Sequence, residues 1–292
     1  MTTAFLGLGT MGYPMAGHLA RHFTTAVWNR TPEVAARHAA EHGTRQAASI
    51  PDAVGADIVF SCVPTSREVN LLVDAALPAL RPGSLWVDCT SGDPTMARAT
   101  ATRLAERGVT YLDAPVSGGR PGAESGTLSV MVGGDAAALE RARPAIEAFS
   151  SRIVHVGAVG AGHMVKSVNN ALMAVNLWAA SEGVLALERG GVDLGAAMEV
   201  INASSGRSFA TESLLAAGLG PDELQPWFKL ALLHKDTAIA SDVARNAGQP
   251  APFLSLIVDM LGAARAGLGG EPDYRAIPRA LRAWQKGILG RS

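Results

Sequence analysis

The segment Ala4-Phe5-Leu6-Gly7-Leu8-Gly9-Thr10-Met11-Gly12 decides the fold. An apolar run ends in G-x-G-x-x-G, and the residues that follow, to His22, carry apolar side chains at helical three-to-four spacing. A strand that turns through glycines into a helix opens a βαβ unit, and in that context the motif is a dinucleotide signature. Its glycines serve a tight turn, a close backbone approach to a pyrophosphate, and close packing of helix on strand. The helix N-terminus then offers backbone N–H groups to the phosphates. Gly7, Leu8, Gly9, Thr10, Met11 and Gly12 are therefore candidate cofactor-binding residues.

Outward from that segment, short β-rich runs alternate with helical ones. Candidate strands are Ala4–Gly7, Thr25–Trp28, Asp57–Val63, Ser84–Asp88, Val109–Ala114, Leu128–Val132 and Ile153–Val156. Between them Gly12–His22, Pro32–His42, Arg67–Leu80 and Pro94–Arg107 have helical periodicity. The alternation predicts an α/β fold, a Rossmann-type doubly wound and mainly parallel sheet with helices on both faces. Near residue 160 the pattern changes. From Gly162 to Gly190-Gly191 there is no proline and no strand signal, which predicts one helix of about 28 residues, about 40 Å long. The rest reads as helices: Leu194–Ala203, a second from near Pro226 to near Gly248, and two more after Pro252 and Asp273. The expected organisation is a nucleotide domain over 1–162, a joining helix over 163–191 and a smaller all-helical domain over 192–292.

The second strand leads into Asn29-Arg30-Thr31. An acidic residue there would hold the ribose 2′-OH of NAD. Asn29 and Arg30 leave no acid to repel a 2′-phosphate, and Arg30 pairs with one, so NADP is the expected cofactor, with NAD possible. Val63-Pro64 and Thr90-Ser91 follow the third and fourth strands, where a cofactor passes; plain strand-end turns are the alternative reading.

Four further blocks carry a resemblance. They are Asp113-Ala114-Pro115-Val116-Ser117-Gly118-Gly119, then Gly126-Thr127-Leu128-Ser129-Val130-Met131-Val132-Gly133-Gly134, then Gly160-Ala161-Gly162-His163-Met164-Val165-Lys166-Ser167-Val168-Asn169-Asn170, and Lys235-Asp236. With the opening Gly7-Leu8-Gly9-Thr10-Met11-Gly12-Tyr13-Pro14-Met15-Ala16, the chain resembles the β-hydroxyacid dehydrogenase family along almost its whole length. That family includes 3-hydroxyisobutyrate dehydrogenase, tartronate semialdehyde reductase and glyoxylate/succinic semialdehyde reductases. The resemblance implies substrate binding at Ser117, Gly118 and Gly119, catalysis at Lys166 and Asn170, and a cofactor-closing Lys235 with Asp236 as its structural neighbour. The residues fit those roles. Lys166 and Asn170 share one helix face, a turn apart. Gly118-Gly119 lets backbone approach a substrate, and its N–H groups suit a carboxylate. Lys166 would exchange a proton with the substrate hydroxyl; burial beside a positively charged ring disfavours the ammonium, the direction an acid/base lysine needs. The expected reaction is hydride transfer between NADP(H) and a small hydroxy acid or semialdehyde.

Weaker positions carry two readings each. Ser204-Ser205-Gly206-Arg207-Ser208 is either a helix-ending turn or a segment reaching a neighbouring active site. Arg120 reads first as solvent-facing, with a second acidic group of the substrate as its alternative partner. His18 is a neutral departure from the family's usual Asn. His155, His163 and His234 lack metal-ligand spacing and read as packing or surface residues, Trp178 and Trp227 as core or interface anchors. An imine reductase-like enzyme and a non-catalytic cofactor-binding relative are the alternatives, and Lys166 argues against both. The chain is much shorter than 6-phosphogluconate dehydrogenases.

At 292 residues, 48% hydrophobic and 17% charged, the chain has material for two domains with sizeable cores. A net charge of -1 gives no electrostatic footprint for nucleic acid or an anionic membrane. Two cysteines, Cys62 and Cys89, form no disulfide framework and no metal-ligand pattern. No signal-peptide pattern opens the chain and no charge-free run of about 20 apolar residues interrupts it. The expectation is a metal-free cytoplasmic enzyme, a homodimer or homotetramer.

Overall fold

Strands buried on both faces read as unbroken apolar runs, and the computed structural model, which describes residues 1–215 and 228–289, shows why that holds here. The chain divides into two compact units, Met1–Lys166 and Ser167–Ser292. In the first, β1 (Thr2–Leu6), β2 (Thr24–Trp28), β3 (Arg45–Gln46), β4 (Ile58–Ser61), β5 (Leu85–Asp88), β6 (Thr110–Asp113), β7 (Val116–Ser117), β8 (Leu128–Gly133) and β9 (Ser150–Gly157) form one sheet. The order is β3-β2-β1-β4-β5-β6-β8-β7, with β9 also on β8. The helices between them are α1 (Gly12–Ala20), α2 (Pro32–His42), α3 (Ile50–Ala53), α4 (Ser66–Ala76), α5 (Pro94–Ala105), α6 (Gly119–Ser125) and α7 (Ala136–Glu147).

Alternate residues of each central strand feed different cores. Phe5, Val27, Phe60, Leu85 and Val87 pack with Leu19, Ile146 and Phe149 on one face. Ala4, Leu6, Val59 and Trp86 pack with Leu72, Val73 and Leu104 on the other. Helices therefore cover both faces, the doubly wound arrangement expected from the alternation. Strand order reverses about β1, which pairs with β2 on one side and β4 on the other, both in parallel. Ligands of such sheets bind at the carboxyl ends of the strands beside that reversal, and Gly7–Gly12 lies there.

Three features escaped the sequence pattern. β3 and β7 are two residues long, too short for any periodicity. β8 runs antiparallel to β6 and β7, and apolar patterning carries no information on strand direction.

The helix α8 (Ala161–Arg189) starts in the first unit and continues into the second. It has 29 residues, close to the length expected, and stops at Gly190-Gly191, where Gly191 takes a φ of 73°. Its length and composition would allow a membrane crossing, but Ala174, Leu177, Trp178, Val184 and Leu185 are committed to a protein core. The second unit adds α9 (Leu194–Asn202), a π-helical turn (Ala210–Leu214), α10 (Leu230–Asn246), α11 (Pro252–Leu268), a 3-10 turn (Tyr274–Ala276) and α12 (Ile277–Leu289). Asp273 caps the 3-10 turn through the Arg275 N–H, so the helix predicted after Asp273 starts with that turn. Trp178 packs against Trp284 with ring centroids 5.6 Å apart. Trp227 and the predicted start near Pro226 fall outside the described residues.

Candidate active site

Within the first unit the glycine turn is built by close contacts. Gly7 has a φ of +99°, and a Cβ there would lie 2.5 Å from the Cys62 carbonyl oxygen. A Cβ at Gly12 would lie 2.0 Å from the Gly7 oxygen and 2.9 Å from Phe5. These two glycines are required by strand crowding and helix-to-strand packing. Gly9 differs, since nothing lies within 4 Å of where its Cβ would be. Its open face matches the close approach that a pyrophosphate needs. No side chain caps the N-terminus of α1, whose N–H groups suit phosphate oxygens. The residues present thus fit a dinucleotide.

Asn29 has a task inside this turn. Its Oδ1 accepts the Leu8 N–H at 3.0 Å and its Nδ2 donates to the Thr31 carbonyl at 3.1 Å, tying the end of β2 to the glycine turn. Arg30 and Thr31, between β2 and α2, are exposed. Beyond β4, the Val63 N–H donates to Thr90 Oγ1 at 3.2 Å, and the Asp93 N–H donates to Ser66 Oγ at 2.8 Å. The turns carrying Val63-Pro64 and Thr90-Ser91 are thereby joined.

Ser117 ends β7, and Gly118 and Gly119 follow with φ of 130° and 60°. Both values lie where L side chains are strained. Lys166, in the second turn of α8 (Ala161–Arg189), is 8% exposed. The start of α8 is held against the sheet. Asp113 Oδ1 accepts the Gly160 N–H at 2.7 Å and its Oδ2 accepts the His163 N–H at 2.9 Å. A Cβ at Gly162 would lie 2.4 Å from the Met131 oxygen and 2.8 Å from the Asp113 oxygen, so glycine permits the close seat. Burial raises the Asp113 carboxyl above the usual carboxylate range, against His163 and the two N–H donors.

Asp88, at the end of β5, is a buried acceptor for Ser61 Oγ at 2.9 Å, the Thr90 N–H at 3.1 Å and Tyr111 Oη at 2.9 Å. Burial works to raise this carboxyl, but the imidazole of His163 and the Thr90 donors outweigh it and hold it low. Burial pushes the Cys62 thiol up to about 12 and Cys89 well above its ordinary value. Both are free thiols.

The second unit holds the other candidates. Asp236, 1% exposed, accepts the Asn170 Nδ2–H at 2.6 Å through Oδ2, and its Oδ1 lies 2.9 Å from Lys235 Nζ. One buried carboxylate thus orients Asn170 and draws in Lys235. The sequence marks Asp236 only as the neighbour of Lys235; its hold on Asn170 spans 66 residues and leaves no local signal.

The remaining positions make the following contacts. His18 Nε2 sits 3.1 Å from the Ala123 and Glu124 carbonyl oxygens. His155 meets the Gly134 oxygen at 2.8 Å. His234 lies beside Arg265, and burial with that charge lowers its pKa. Arg120 pairs with Glu124 at 2.6 Å on the exposed side of α6. Ser204–Ser208 follows α9 as a turn, and a 620 Å³ cavity in the second unit is lined by Ser205–Ser208 and by Asn176, Gly183 and Leu187 of α8. Neither Lys166, Asn170 nor Lys235 lines it. Among the described residues no three His, Cys, Asp or Glu side chains cluster as metal ligands.

A glycine turn at a strand-order reversal and joined strand-end turns place the first unit in the doubly wound class of dinucleotide-binding domains. Two family models divide the chain. The NAD binding domain of 6-phosphogluconate dehydrogenase matches residues 2–157, and the NAD-binding region of NADP-dependent 3-hydroxyisobutyrate dehydrogenase matches residues 160–281. A probable 3-hydroxyisobutyrate dehydrogenase of Mycobacterium tuberculosis is 36% identical over 97% of this chain and 98% of its own. An NAD-dependent L-serine dehydrogenase of Pseudomonas aeruginosa is 36% identical over 88% and 90%. The structure of Mycobacterium tuberculosis 3-hydroxyisobutyrate dehydrogenase with L-serine superposes with a TM-score of 0.87 at 34% identity, covering 96% of this chain and 99% of that one. The chain belongs to the β-hydroxyacid dehydrogenase family of NAD(P)-dependent oxidoreductases.

Proposed function

We propose that the protein oxidises a small β-hydroxy acid, or reduces the corresponding semialdehyde or keto acid, with NADP(H) preferred over NAD(H). The observation that carries this reading is Lys166, buried on a helix whose start is pinned to the sheet by Asp113. A surface lysine needs no such seat.

A bound nicotinamide supplies the hydride acceptor or donor. Gly7, Leu8, Gly9, Thr10, Met11 and Gly12 hold the diphosphate, and Asn29, Arg30 and Thr31 the adenosine ribose. Val63, Pro64 and Ser91 line the cofactor's path, and Lys235 closes on it. Lys166 Nζ takes the hydroxyl proton during oxidation and returns it to the forming alkoxide during reduction, directly or by way of water. Asn170, its amide oriented by Asp236, holds the substrate. Ser117, Gly118 and Gly119 receive the carboxylate. The two free thiols support a cytoplasmic setting. The exposed Val168 and Leu172 of α8 and Phe253 and Leu256 of α11 support a homodimer or homotetramer. The same proposal divides the chain into 1–162, 163–191 and 192–292.

The carboxylate subsite is open to direct test. The substrate is expected to carry its carboxylate beside the reacting carbon or one carbon away, because Ser117-Gly118-Gly119 offers backbone donors to an anion. Steady-state rates for each acid and its methyl ester decide it: the ester should lose most of kcat/KM. An ester turned over as efficiently as its acid gives these residues some other task.

A further inference from the structure

The buried polar groups at the ends of β5 and β6 take no part in the chemistry above, yet they converge on the helix turn that precedes Lys166. Asp88 and Asp113 are register partners on adjacent strands. Asp113 holds the backbone of α8, and Asp88 faces the His163 side chain. His163 Nε2 lies 3.6 Å from Asp88 Oδ2, and neither side chain has appreciable solvent exposure. At that distance the contact is an ion-pair approach, not a formed hydrogen bond. Neither ring nitrogen has a hydrogen-bond partner in the protein among the described residues. Burying two polar nitrogens without partners is unfavourable, and an apolar side chain would fill the space at lower cost. The ring also shapes the turn after β5. A Cβ at Gly92 would lie 2.8 Å from His163 Nε2 and 2.6 Å from Ser66 Oγ, so glycine lets Thr90-Ser91-Gly92 lie against the imidazole.

His163 faces Asp88 of β5 and Asp113 of β6, and the titratable groups beside those carboxylates are Tyr111 of β6 and the thiols Cys62 and Cys89. Burial pushes Tyr111 and both thiols upward, which keeps them neutral. Asp88 and Asp113 are left as the carboxylates that face His163. A buried charge whose partner is removed is left uncompensated, so the contact is sensitive to either side chain.

We infer that His163, held by Asp88, is a positioning residue for the proposed reaction: it fixes the Thr90-Ser91-Gly92 turn to the first turns of α8 and so sets where Lys166 presents its ammonium. His163 and Lys166 are three apart on one helix, which makes them neighbours on its surface, and Ser91 sits in the turn against the ring. Displacements of about 1 Å in a reacting constellation cost as much as 10²-fold in rate. The inference rests on the role proposed for Lys166.

The test compares His163→Leu, His163→Gln, Asp88→Asn, the double variant combining His163→Leu with Asp88→Asn, and Lys166→Ala in the full-length protein. The probe is 3-hydroxyisobutyrate, L-serine or glycerate, whichever the wild type oxidises fastest with saturating NADP+. His163→Leu should lower kcat by about 10- to 100-fold while the dissociation constant for NADPH, read by its fluorescence, stays within about threefold. His163→Gln, which keeps a donor toward Asp88, should recover most of the loss. Asp88→Asn should lower kcat alone but add little in the His163→Leu background, because the two act as one unit. If the Leu variant fails to fold, Asp88→Asn carries the same expectation. A wild-type kcat in His163→Leu or Asp88→Asn overturns the inference. So does equal impairment in the Gln and Leu variants, additive losses, or a loss matched by weaker NADPH binding. If Lys166→Ala alone is impaired, the positioning role fails and the acid/base role stands; if Lys166→Ala keeps its kcat, both fail.

Discussion

Lys166→Ala is expected to lower kcat for hydroxy acid oxidation by about 10²- to 10⁴-fold, the usual cost of losing a general acid/base. The dissociation constant for NADP(H) should change little, since Lys166 is assigned to the substrate hydroxyl and not to the cofactor phosphates. The helix should persist, because alanine has the highest helix propensity and the start of α8 is held independently by the Asp113 carboxylate. The pH profile supplies the sign. In the proposed mechanism oxidation uses Lys166 as the free base, so the wild-type profile should carry an acidic limb on which the rate falls with falling pH. In the Ala variant that acidic limb should vanish. Stopped-flow and steady-state assays across pH, with NADPH binding measured on the same samples, check all three expectations. A variant that kept most of its kcat would place proton transfer elsewhere.

Arg30→Ala is expected to lower kcat/KM with NADP(H) by roughly 10- to 150-fold, the range of charge-assisted hydrogen bonds to a phosphate. With NAD(H) it should change little, as no 2′-phosphate is present. The position supports this. Arg30 is exposed between β2 and α2, while Asn29 beside it is occupied with the Leu8 N–H and the Thr31 carbonyl. The proposed pairing with a 2′-phosphate would fall to Arg30. A relative 36% identical is an NAD-dependent L-serine dehydrogenase, so the preference is a property of this chain to be measured. Equal losses with both cofactors would show that Arg30 acts on the shared diphosphate or on folding.

What the sequence made legible is local. Gly7 and Gly12 were readable because their reasons, a positive φ and a 2.0 Å clash, lie within one βαβ turn. The long helix was readable because nothing broke its periodicity between Gly162 and Gly190. The doubly wound sheet followed from unbroken apolar strands, since strands such as Ile58–Ser61 are buried throughout. What stayed hidden depends on distant contacts. Strand direction at β8, the two-residue strands β3 and β7, and the Asp236 grip on Asn170 leave no periodic trace. His163 is buried, as the packing reading of a histidine without ligand spacing expects. Its carboxylate neighbour lies on β5, in a segment whose apolar run signals only a strand.

The most direct test of the account is a panel of small hydroxy acids, with neutral alcohols of the same carbon skeleton as controls, assayed with NADP+ and NAD+ by reduced-nicotinamide absorbance. The account predicts that at least one β-hydroxy acid is oxidised, that its neutral counterpart is not, and that kcat/KM is higher with NADP+. Absence of turnover across the acids, or equal turnover of the neutral alcohols, would contradict it.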